Sequence, residues 1–94
     1  MLDLGAATAA DFLAHVGTAF ARIDGTDLHL AAVTQHGPGA HREQFSLIFT
    51  TDANTLLPQG IQDLSHPTLG DLALFLVPIG PGADGQQRYE AAFA

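Results

Sequence analysis

The clearest alternation of apolar and polar positions runs from Gln44 to Thr50. Phe45, Leu47 and Phe49 fall on one face, and Gln44, Ser46, Ile48 and Thr50 on the other. Successive side chains on a strand point to opposite faces, so this stretch is predicted to be a half-buried strand. The longest apolar run lies within Leu57 to Gly80 and predicts a hairpin. Gly60 to Ser65 forms its first strand, His66-Pro67-Thr68-Leu69-Gly70 the reversal, and Asp71 to Val77 its second strand. In that second strand Leu72, Leu74 and Leu76 oppose Ala73, Phe75 and Val77, so neither face is polar and both are expected to be buried. Pro78 lacks a donor and is expected to end the ladder.

The remaining elements follow in chain order. Thr8 is placed to cap a short helix, its hydroxyl accepting from the Asp11 amide, with Phe12, Leu13 and Val16 turned inward and Gly17 as the left-handed stop. Thr18 to Ile23 is a first strand anchored by Phe20. Asp24-Gly25-Thr26 is a tight reversal of the two-residue kind. Asp27 to Gln35 is a second strand, with Leu28, Leu30 and Ala32 on one face and His29, Ala31 and Val33 on the other. His36-Gly37-Pro38-Gly39-Ala40-His41 defeats helix and ladder alike and is predicted as a loop, with Arg42 and Glu43 on its outgoing arm. A polar connector runs from Thr51 to Thr55. Gly80 to Gly85 is a second loop, and Arg88 to Phe93 a last strand, with Tyr89, Ala91 and Phe93 on one face, ending at a sheet edge.

A chain of 94 residues supports one domain and one modest core. Apolar strands that need cover on both sides, in so short a chain, imply a mainly β fold. The expected architecture is a small antiparallel barrel or compact sandwich of five or six strands with one short N-terminal helix. No cysteine is present, which removes disulfides and thiolate chemistry. No basic, apolar leader and no run of about 20 apolar residues is seen, so the expectation is a soluble protein, cytoplasmic at synthesis, without a signal peptide or transmembrane segment. Export within an assembly is compatible with that pattern.

Charge sharpens the picture of partners. Ten carboxylates stand against Arg22, Arg42 and Arg88, with no lysine and a net charge of −7. Phosphate recognition needs clustered cations, so nucleic acid is not an expected partner, and neither is an anionic membrane.

Several side chains invite chemistry. His36 and His41 flank one loop and His29 precedes them on the second strand, which is the candidate metal set, although its spacing matches no zinc pattern. Asp63, Ser65 and His66 have the side-chain types of a hydrolytic triad, yet neighbouring strand positions diverge, and no glycine-flanked nucleophile elbow is present. The glycines lack the order and the lysine of a phosphate loop. His66 is better explained as a turn residue bonding the backbone of its reversal. No cofactor is implied, and an enzyme is not expected.

The chain resembles a family of short bacterial domains of unknown function. The matching pieces are Ala10-Asp11-Phe12 with Val16-Gly17-Thr18, Phe45-Ser46-Leu47-Ile48-Phe49, Leu57-Pro58-Gln59-Gly60, His66-Pro67 with Leu69-Gly70, Leu74 to Gly80, and Tyr89-Glu90-Ala91 with Phe93. The resemblance brings no established activity. Some members of that family are encoded near proteins with phage-tail-like collar domains, which implies a role in an extracellular fibre or tail-like assembly. The function expected from residues and resemblance together is a non-enzymatic structural or adaptor module that binds another protein or its own copies. Gln44, Ser46, Ile48, Thr50, Arg88 and Glu90 are its candidate contact residues. The alternative is a small-ligand or metal-binding module using the histidines.

Overall fold

The computed structural model describes residues 4–38 and 43–93. After a 3-10 turn at Leu4–Ala6, the elements are helix α1 (Ala9–Leu13) and strands β1 (Ala19–Arg22), β2 (Asp27–Pro38), β3 (Glu43–Thr51), β4 (Gly60–His66), β5 (Gly70–Pro81) and β6 (Gln87–Phe93). The strands close into an antiparallel barrel in the order β1-β2-β3-β6-β5-β4. Two three-stranded meanders, β1-β2-β3 and β4-β5-β6, are thus joined along β3–β6 and along β1–β4. The mainly β class, the barrel and the single short helix agree with the sequence reading. Among the described residues no helix is long and apolar enough to cross a membrane.

The core is the barrel's interior. Phe20, Leu28, Leu30, Phe45, Leu47, Phe49, Leu76 and Tyr89 are fully buried there, as the alternation along β3 and β6 requires. One end is plugged from α1, where the Phe12 ring lies 6.0 Å from Phe45 and 5.7 Å from Phe93, and those two rings stack at 4.5 Å. The other end is tied by Tyr89. Its hydroxyl accepts from the Leu57 amide at 3.1 Å and donates to the Thr55 carbonyl at 3.1 Å, fastening the β3–β4 connector across the opening.

Several expectations are corrected. Strand β5 is buried on one face only: Leu72, Leu74 and Leu76 point inward, while Ala73 and Phe75 face solvent. A single-walled barrel has one inside, so a strand in it needs cover on one face. Pro78 does not end the ladder either. It pairs with Tyr89, a bulge follows, and pairing resumes at Gly80 opposite Arg88. Proline is tolerated at such irregular positions because the ladder is already interrupted.

On β2 the ladder slips at Ala31: Leu30 faces Phe49, but Ala32 faces Ile48. One extra residue reverses the alternation beyond it. Val33 therefore lies opposite inward Leu47 and packs on the core, while Ala32 turns outward, the reverse of the expected faces. The strand also continues through His36 and Gly37 to Pro38, where a loop was predicted.

The Asp24 reversal is a three-residue loop. Arg22 donates its amide to Thr26 and Gly25 donates to Arg22, with Gly25 alone at positive φ (+91°). A type I turn closed by a left-handed glycine needs a single positive φ, so Asp24 stays in an ordinary conformation and its carboxylate accepts the Thr26 amide at 2.9 Å. The same arrangement recurs at Ala83-Asp84-Gly85, where Asp84 accepts the Gln86 amide at 3.0 Å.

In α1 only Phe12 and Ala9 are buried, and Leu13 and Val16 are exposed, because five helical residues present one narrow stripe. The Asp11 carboxylate carries the cap, accepting the Thr8 amide at 2.8 Å. Gly17 takes the expected left-handed conformation. Finally, β6 is no edge, since it pairs with β3 on one side and β5 on the other.

Candidate functional site: the outer wall of the barrel

With the interior filled by side chains, groups able to meet a partner lie on the outside. Pairing of β3 with β6 sets Ser46 beside Ala92, Ile48 beside Glu90 and Thr50 beside Arg88. Residues directly opposite on neighbouring strands point to the same face. The predicted contact residues Ile48, Thr50, Arg88 and Glu90 therefore form one continuous patch, with Gln44 exposed on the same strand face. Glu90 in turn faces Val77 of β5. Ser46 departs from this picture, being only 2% exposed, with its hydroxyl 2.8 Å from His36 Nε2. Ser46 is thus covered and unavailable to a partner.

Sequence reasoning missed the neighbouring part of the wall. Ile61 of β4 and Phe75 of β5 are register partners, and they are 69% and 52% exposed. A directly opposed apolar pair on the solvent face stabilises a hairpin modestly, by about 0.2–1 kcal/mol, yet leaves both side chains wet. No periodicity distinguishes such a pair from a buried one. The register does.

The histidines separate into different surroundings. His29 lies opposite Thr50, and His36 is seven positions further along the same strand, roughly 20 Å away at about 3.3 Å per residue. One ion cannot be shared over that distance. His41 lies outside the described residues. Among the described residues no group of three His, Cys, Asp or Glu side chains is placed to hold a metal ion.

His66 is the most constrained polar side chain. Its Nδ1 accepts from the amides of Thr68 at 3.1 Å and Leu69 at 3.2 Å, binding the β4–β5 reversal as its position before Pro67 suggested. An Nδ1 that accepts twice carries no proton, so the proton sits on Nε2 and is donated to the Thr18 hydroxyl at 3.0 Å. That hydroxyl passes its own proton to the His15 carbonyl at 2.6 Å. The ring lies against Phe20 at 4.5 Å and edge-on to His15 at 4.7 Å. Burial, and secondarily the neighbouring His15, hold its pKa below the ordinary histidine value of 6.5. Asp63 and Ser65 meanwhile point outward from the same strand, on the face opposite His66, so the three triad-type side chains do not converge.

A sequence profile described as a domain of unknown function, DUF6916, matches residues 7–93. The chain belongs to the DUF6916 family. No curated protein and no solved structure matches it. In this DUF6916 domain the matched span runs from the start of the helix region to the end of β6, so it takes in every strand of the barrel.

Proposed function

We propose that this domain is a non-enzymatic adaptor that binds another protein through the outer wall of its barrel. The observation that carries the reading is the continuity of that wall. Ile48, Glu90 and Val77 line up across β3, β6 and β5, and the exposed Ile61–Phe75 pair extends it across β4. A mixed surface with apolar side chains held rigidly on strands suits protein recognition, where aromatic and aliphatic anchors are ringed by polar groups. Among the described residues the interior is occupied by buried apolar side chains, and buried Ser46 beside His36 offers a substrate carbonyl no approach. A fibre- or tail-like assembly is the setting that the family resemblance implies, and further copies of this domain are the other occupant the wall could take.

A photo-crosslinking residue placed at Ile48, with a control at exposed Ala14 beyond α1 at one end of the barrel, tests the reading in the source cell. A single defined adduct at position 48 is expected, either to one partner or to the domain itself. Equal labelling at both positions, together with a monomeric native mass in cell extract, overturns it.

A further inference from the structure

Strand β1 is shorter than the strand it closes against. Ala21 pairs with Ser65 and Arg22 with Leu64, and the β1–β2 reversal then begins, so Gly60 to Asp63 of β4 have a strand partner only on their β5 side. Beside this open edge lies a groove of about 530 Å³ over β1, β4 and β5. Its floor is made of small outward side chains, Ala21, Ser65 and Ala73, and its flanks are Ile23, Asp63 and Asp71. The pairing sets Ser65 beside Asp71 and Asp63 beside Ala73, so Asp63 and Asp71 are diagonal neighbours on one face, at residue positions about 7–8 Å apart. Ile23 stands wholly in solvent at the groove's rim, and Ile61 with Phe75 continues the surface past Asp63.

No basic side chain of the described residues neutralises this pair. Arg22 is committed to Asp24 at 2.9 Å, and Arg88 lies over Gly82 at the β5–β6 reversal. A second copy of the chain, at net charge −7, brings carboxylates against carboxylates. The occupant that fits is a cation on an extended segment, whose main chain can bond the free edge of β4 while its side chains alternate over the wall.

We infer that the groove binds an extended segment of a partner protein, with an arginine or lysine between Asp63 and Asp71 and an apolar side chain against Ile61 and Phe75. This rests on the adaptor reading and specifies where on the wall the partner sits and what charge it carries. A long cationic side chain suits both features, because its alkyl stem can lie on Ala21 and Ala73 while its head reaches the carboxylates. Open backbone supplies affinity and the acid pair supplies selection for charge.

The test uses the full chain, isotope-labelled for amide NMR, titrated with the blocked peptide Val-Thr-Arg-Thr-Val, whose valines share a face with Arg in an extended segment, and its counterparts carrying Gln or Glu in place of Arg. Saturable shifts are expected at 21–23, 60–65 and 71–75 with the Arg peptide. Binding should be roughly tenfold weaker for the Gln peptide, and weaker still for the Glu peptide. The exposed double substitution Asp63→Asn, Asp71→Asn should abolish the difference between Arg and Gln peptides while leaving the unbound spectrum folded. Equal binding of all three peptides, or no saturable shift up to the solubility limit of the Arg peptide, overturns the inference. Shifts gathered at 44–50 and 88–90 overturn it too, but leave the adaptor reading standing.

Discussion

His66 and Thr18, 48 positions apart, are joined by a 3.0 Å hydrogen bond that locks the β4–β5 reversal to the segment linking α1 with β1. Only the neutral ring can hold the reversal at the same time, since protonating Nδ1 sets it as a donor against the amide donors of Thr68 and Leu69. In the unfolded chain the same imidazole takes up a proton at about pH 6.5, before the folded one does. The unfolded state therefore binds more protons in that window, and stability falls as the pH drops below about 6.5. Urea midpoints measured at pH 7.5 and 5.5 should show this loss in the parent protein and a smaller one in His66→Gln. Identical pH slopes in the two proteins would remove His66 as the cause.

Tyr89→Phe keeps the ring in the core but leaves the buried Leu57 amide without its acceptor. A loss of about 1–3 kcal/mol is expected from the unsatisfied donor. Amide exchange at Leu57 should accelerate more than exchange in β3, whose ladder is untouched. Protection that stays uniform would mean that the connector is held by something else.

Phe12 is the one large side chain that α1 contributes to the barrel interior. Phe12→Ala should cost about 3–5 kcal/mol, much of the 5–15 kcal/mol typical of a whole domain. Calorimetry of that variant against Leu13→Ala, which removes an exposed side chain, separates packing from helix propensity. Similar melting temperatures for both would show that the plug contributes little.

Gly25 and Gly85 close equivalent reversals at φ +91° and +85°, and open space surrounds each. Substituting alanine at either should destabilise by about 1–2 kcal/mol through backbone strain alone, with asparagine costing less. Chemical denaturation of the four variants checks the ranking. Alanine and asparagine variants of equal stability would mean that the loops relax to another turn type.

Much of this barrel was legible in the residues. Phe45, Leu47 and Phe49 alternate with polar neighbours, and His66 before Pro67 announced a turn. What escaped notice did so for physical reasons. Phe75 reads like Leu74 and Leu76, because an apolar side chain on an outer wall looks the same in sequence as one in a core. The bulge at Ala31 sits among alanines, whose small side chains mark neither face strongly. The Ile61–Phe75 pair and the acid-flanked groove exist only through register, which joins positions far apart in the chain. The three histidines offered as ligands looked close because a loop was expected at His36, whereas the strand runs on and carries it away from His29.

The placement of β6 between β3 and β5 has a consequence for how the protein is made. The first three strands can pair as they emerge from the ribosome, and so can β4 with β5, but the strand that lies between β3 and β5 is present only once β6 has been synthesised. Until then β3 and β5 each present an unpaired edge, and the inward faces of both meanders lack their cover. The nascent chain is therefore most vulnerable to sticking and to chaperone capture just before synthesis of its last strand, and a stop within β6 should yield aggregates or degradation products rather than a slightly weakened barrel.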